Sequence, residues 1–193
     1  NLNLNVSLNV NPGLLLSIII DPATNMTVNA RGTAALNVLL NPGTGELSIF
    51  GTYEIAEGDF LFSMQPIISN KKFILQQGGT IQFSGDPMDA MLNIEAVYRV
   101  RASLQQLASS LQGTGINTGT RVPVDCIVRI SESLRKPNLT FDIRIPSADA
   151  DIQNVLSGAL ASNEDRALNF LWLPTPMPHR PERRWASTSS PTN

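Results

Sequence analysis

Leu2, Leu4, Val6, Leu8 and Val10 are separated one by one by Asn3, Asn5, Ser7 and Asn9. A period of two puts every apolar side chain on one side of an extended strand and every polar one on the other. Asn11-Pro12-Gly13 breaks the ladder, Leu14 to Ile20 resumes it, and Asp21-Pro22 breaks it again. Pro lacks an amide donor, and Asn, Asp and Gly suit turn geometry, so these breaks predict short strands joined by tight turns. Further strands are predicted over Met26 to Arg31, Ala34 to Leu40, Glu46 to Glu54, Asp59 to Met64, Lys72 to Gln76 and Thr80 to Phe83. The separators are Asn41-Pro42-Gly43, Glu57-Gly58, Ser69-Asn70 and Gly78-Gly79, and the rhythm is that of a meander.

Gly85-Asp86-Pro87 closes one strand. Met91 to Arg101 then alternates cleanly, with Leu92, Ile94, Ala96, Tyr98 and Val100 opposed to Asn93, Glu95 and Arg99. Leu104, Leu107, Ala108 and Leu111 fall three and four apart, which predicts a short amphipathic helix over 102–112, and 113–119 reads as a loop. Val122, Val124, Cys126, Val128 and Ile130 make another strand. A Lys136-Pro137-Asn138 turn leads to the last one, with Leu139, Phe141, Ile143 and Ile145 on its apolar side. After Pro146, Ser147 is an N-cap with Asp149 and Asp151 in the first turn, and Ile152, Val155, Leu156 and Leu160 give a helical stripe over 148–161. The expected organisation is a β domain over 1–146, a helical segment over 147–173, and a disordered Pro-, Arg- and Ser-rich tail over 174–193. Whether the first fifty residues share a sheet with the rest stays open, and the two Asn-Pro-Gly triplets are candidates for equivalent hairpin turns.

Composition narrows the function. Fourteen basic and 16 acidic side chains give a formal net charge of −2, without the dense basic surface that phosphate neutralisation needs, so no nucleic-acid partner is expected. The longest apolar stretch, Leu14 to Ile20, is far short of the roughly 20 residues of a spanning helix. Asn1 begins directly in a strand, without a signal-peptide pattern. The lone Cys126 lies within an apolar alternation and reads as a core residue. The lone His179 lies in the tail, where it can serve neither a Ser-His-Asp arrangement nor, with one Cys, a zinc site. Asp86 with Asp89, Asp149 with Asp151 and Glu164 with Asp165 fit turns or helix starts. The 113–119 glycines lack the strand-turn-helix context of a dinucleotide fingerprint. No enzyme, metal or cofactor is expected.

What remains is the apolar face. Two such faces can close on each other as a sandwich, which is the commoner all-β arrangement, or one curved sheet can leave a furrow between its walls.

A resemblance bears on that choice. Gly51-Thr52-Tyr53-Glu54-Ile55, Glu57-Gly58-Asp59-Phe60-Leu61-Phe62, Lys72-Phe73-Ile74-Leu75 and Gly78-Gly79-Thr80-Ile81-Gln82-Phe83-Ser84-Gly85-Asp86-Pro87 look like successive blocks of the TamB C-terminal domain in its Bacteroidetes form. Ala90 to Tyr98, Arg121 to Cys126 and Pro137 to Ile143 continue the resemblance, which covers about 40–170. It implies an all-β fold with an elongated, curved antiparallel sheet, a β-taco with a U-shaped groove. It implies an AsmA-like, inner-membrane-anchored bridge in the Gram-negative periplasm, carrying phospholipid toward the outer membrane without bond chemistry. It also implies a TamA-like outer-membrane barrel as partner. The lining it implies is Phe60, Phe62, Phe73, Leu75, Ile81, Phe83, Leu92, Ile94, Ala96, Tyr98, Val122, Val124, Val128, Ile130, Leu139, Phe141, Ile143 and Ile145. The alternatives are an assembly factor that pairs a strand edge with the barrel and carries no lipid, or a closed structural or adhesin-like β domain. The Pro-, Arg- and Ser-rich tail from Pro174 departs from the family pattern, whose chains end in a further apolar segment.

Overall fold

The computed structural model of the chain describes residues 3–64, 68–103, 121–147 and 154. Its strands are β1 (Leu4–Val10), β2 (Leu15–Asp21), β3 (Met26–Asn41), β4 (Glu46–Met64), β5 (Ile68–Leu75), β6 (Thr80–Gly85), β7 (Met91–Ser103), β8 (Arg121–Ser133) and β9 (Lys136–Arg144), with a short 3-10 turn at Pro87–Asp89. All join one antiparallel sheet, in the order β1-β3-β4-β5-β7-β8-β9, with β2 also on β3 and β6 between β4 and β7. β1 and β2 lie end to end along one edge of β3, against Ala34–Leu40 and Met26–Arg31 respectively. β5 and β6 likewise lie end to end between β4 and β7. The fold is therefore a meander of long ranks, two of them interrupted in line. The pairing ring β4-β5-β7-β6 follows from the second interruption and encloses no barrel. That interruption stays in the sheet because its backbone groups bond to both neighbours: Gly78 N to Ile55 O at 2.9 Å, Ile55 N to Gly79 O at 2.8 Å, and Gln76 N to Glu95 O at 2.8 Å.

Several sequence expectations change. Met26–Arg31 and Ala34–Leu40 are one strand, and so are Glu46–Glu54 and Asp59–Met64. A bulge, with Arg31 opposite Glu57 and Gly32 opposite Ile55, absorbs one extra residue at Ala56 without ending either strand. Ser69 and Asn70 lie inside β5, whose first residue, Ile68, already pairs with Met64 of β4. Lys136, Pro137 and Asn138 are in β9, and the turn is Leu134-Arg135. Pro137 is accommodated because β9 is an edge strand, where a missing amide donor breaks no ladder. Ala102 and Ser103, expected to open a helix, continue β7 in register with β8. The rest of that helix, the loop 113–119, the helix over 148–161 apart from Asn154, and the tail lie outside the described residues.

The two Asn-Pro-Gly triplets are not equivalent. In both, the Asn side chain accepts a 3.0 Å bond from the Gly amide two residues on. After Asn41 the turn continues to Gly45, whose φ of +73 and 2.8 Å bond to Asn41 O reverse the chain into β4. After Asn11 the turn closes one residue sooner, with Leu14 N on Asn11 O at 3.1 Å, and the chain resumes its direction as β2.

The sheet curls strongly. Gly51 (φ +126) and Gly58 (φ +151) sit in β4 where its backbone crowds β3; an added Cβ would lie 2.4 Å from Ala35 O and 2.1 Å from Asn29 O. Only glycine permits that approach and that φ, so the Gly-containing blocks of β4 mark where the long hairpin coils.

Candidate functional site

Register assigns the inner face without ambiguity, because directly opposed residues share a side. On that face lie all the residues expected to line a groove. Phe60, Phe62, Phe73, Leu75, Ile81, Leu92, Ile94, Ala96, Val124, Val128, Ile130, Ile143 and Ile145 are buried, while Phe83, Tyr98, Val122, Leu139 and Phe141 pack against them half-buried. Phe62 of β4 and Phe141 of β9 have ring centroids 5.3 Å apart. They stand four ranks apart, about 19 Å on a flat sheet, so the sheet folds over until its last strand touches its middle. Phe62 also meets Phe60 and Phe73, each at 6.1 Å, and Phe73 meets Tyr98 at 5.6 Å. Here the space between the walls is filled by the chain's own side chains.

The other half of the same face is uncovered. β1 opposes β3 through Leu4 with Leu40, Val6 with Val38 and Leu8 with Leu36, and β3 opposes β4 through Leu40 with Leu47 and Val38 with Ile49. Leu4, Leu8 and Leu47 remain 49%, 44% and 40% exposed, and Val6, Leu36, Val38, Leu40 and Ile49 are half-buried. Leu47 and Phe62 share β4 but lie about 50 Å apart along it, at roughly 3.3 Å per residue. The inner face is thus one apolar surface, packed at one end and exposed at the other. The open lining was missed in the sequence although Leu2 to Val10 is its clearest alternation, because alternation marks a face without marking what covers it.

The outer face carries cross-strand ion pairs, Lys72 with Asp59 at 3.2 Å, Arg129 with Glu95 at 3.0 Å and Asp142 at 3.5 Å, and Arg99 with Asp125 at 2.5 and 2.8 Å, and it also leaves Leu15, Ile19, Leu39, Phe50 and Ile74 exposed. Cys126 faces inward and is buried; loss of hydration, aided by the Asp125 charge, pushes its thiol up to about 12. Among the described residues no three His, Cys, Asp or Glu gather as metal ligands, and no helix is long and apolar enough to cross a membrane.

A family model described as the TamB C-terminal domain matches residues 1–177. The chain belongs to that family. No curated protein matches it. TamB membership carries a TamB-related role in the Gram-negative cell envelope. It also gives the Gly-Asp-Pro block of this TamB domain a structural reading. Asp86 caps the 3-10 turn through Met88 N at 2.9 Å and holds Arg135 at 2.8 Å; Asp89 holds Arg135 from the other side at 2.8 Å. Leu134 N and Arg135 N donate to Ala90 O and Met88 O at 2.9 and 2.7 Å. The block clasps the β8–β9 turn and so fixes the wall that closes on Phe62.

Proposed function

We propose that this TamB domain is a non-enzymatic periplasmic element that shields the acyl chains of phospholipid in its furrow on the way to the outer membrane. The hydrocarbon rests on the open floor of Leu4, Val6, Leu8, Leu36, Val38, Leu40, Leu47 and Ile49, and the aromatic half serves as the end wall. The observation that supports this is the uncovered apolar floor, continuous with a packed core on one sheet face. Each methylene removed from water contributes about 0.8 kcal/mol, so partial burial of a chain yields useful yet reversible affinity. A TamA-like barrel is the outer-membrane partner in this reading.

The test is site-specific photo-crosslinking in cells at Leu8, Leu47 and Ile94. Lipid adducts at Leu8 and Leu47, with little at the buried Ile94, are expected; no lipid adduct at any position refutes the reading. A second reading has support from the sheet edges. β1 carries neither charge nor proline along Leu4–Val10, whereas β9 carries Lys136, Pro137, Asp142 and Arg144. An unguarded edge is suited to receive a further strand, and protein adducts at Asn5 or Ser7 without lipid would favour an assembly factor instead.

A further inference from the structure

Of the seven described arginines, Arg31 bonds backbone carbonyls and Arg99, Arg129 and Arg135 bond carboxylates, and the remaining three, Arg101, Arg121 and Arg144, gather in one place. Arg99 and Arg101 of β7, Arg121 of β8 and Arg144 of β9 all point outward at the strand ends remote from the clasp. Arg101 stands opposite Pro123, Arg121 opposite Ser103, and Asp125 opposite both Arg99 and Arg144. Asp125 is bonded to Arg99, and the next acid, Asp142, is turned to Arg129. Arg101, Arg121 and Arg144 are exposed and have no carboxylate partner among the described residues. These positions fall within a patch of about 10 by 14 Å by strand spacing and rise. That is comparable with the screening length of about 8 Å at physiological salt, so the guanidiniums repel one another unless an anion lies across them.

The inner side of the same end is amphiphilic. Tyr98, Val100 and Val122 are half-buried, and Lys71 Nζ lies 5.5 Å from the Tyr98 ring centroid. Cations outside, with a tyrosine, a lysine and aliphatics at the rim, match the chemistry of a lipid–water boundary. The guanidinium fork matches phosphate oxygens in particular.

We infer that this basic end of β7–β9 is a contact site for the phosphate headgroups of an anionic membrane leaflet. The patch lies on the face opposite the furrow, so it stands or falls separately from lipid shielding.

The experiment is co-sedimentation of the 193-residue chain with vesicles of phosphatidylglycerol and phosphatidylcholine, and with phosphatidylcholine alone. The chain should bind the anionic vesicles and release them as salt rises. Arg101→Gln, Arg121→Gln and Arg144→Gln together should weaken that binding on the order of 100-fold, since each cation near an anionic surface contributes about a fivefold factor. Arg99 is left intact because it neutralises the buried Asp125, and unchanged circular dichroism verifies folding. Undiminished binding by the triple variant, equal binding to phosphatidylcholine, or stronger retention on polyglutamate than on the vesicles would each overturn the assignment, the last pointing to an acidic polypeptide.

Discussion

Truncating Phe62 to alanine separates a sealed furrow from one that is open throughout. The ring is 1% exposed and meets Phe60, Phe73 and Phe141, the last at 5.3 Å and from the far edge of the sheet. Removing such a ring costs about 3–5 kcal/mol in transfer free energy and cavity. For a chain of 193 residues each kcal/mol lowers Tm by about 2–4 °C, so a drop of roughly 6–20 °C is expected. The control is Leu8→Ala on the open floor. Leu8 is 44% exposed, so only about half of the 1.5–3 kcal/mol of a fully buried leucine is at stake, near 1 kcal/mol. The assay is thermal unfolding of delipidated protein followed by far-ultraviolet circular dichroism, because a bound ligand would add its own stabilisation. If Phe62→Ala costs no more than Leu8→Ala, or if added fatty acid restores the lost Tm in full, the aromatic cluster is not a packed wall and the division into two halves fails.

Gly58→Val should destabilise strongly, by about 2 kcal/mol or more, since it combines a φ of +151 with a Cβ 2.1 Å from Asn29 O; a urea midpoint equal to wild type would show that the coil of the hairpin does not depend on that glycine. Cys126 should resist maleimide at pH 8 in the folded protein and react on unfolding, and labelling at the rate of a free thiol would contradict its burial. Its raised pKa also means that above pH 9 the folded state keeps a proton the unfolded state has lost. Stability should therefore fall as pH climbs from 9 toward 12, and Cys126→Ala should flatten that part of the curve.

The inner face was legible residue by residue, because Leu92 to Val100, Val122 to Ile130 and Leu139 to Ile145 keep an apolar residue at every second position, and register confirms the side although Val97 and Ile127 put an apolar pair on the outer one. The strand breaks were less legible. The same Asn-Pro-Gly reverses the chain at 41–45 and merely interrupts it at 11–14, and the difference lies in Gly45, whose left-handed backbone the equivalent Leu15 does not adopt. Likewise Glu57-Gly58 looks like a turn in the sequence, yet here the glycine lets two backbones crowd within one strand pair. The half of the furrow that closes could not be read at all. Alternation carries no information about curvature, and the contact of Phe62 with Phe141 joins residues of two strands that nowhere pair.

A structure whose walls touch at one end only has a hard end and a soft one. The strands beneath the aromatic rings lose solvent protection only when the whole fold opens, whereas the floor of β1 and the adjoining halves of β3 and β4 can fray at little cost. In the lipid-shielding proposal, loading and unloading at that margin leave the rest of the molecule folded, and occupancy turns over many times in the life of one chain.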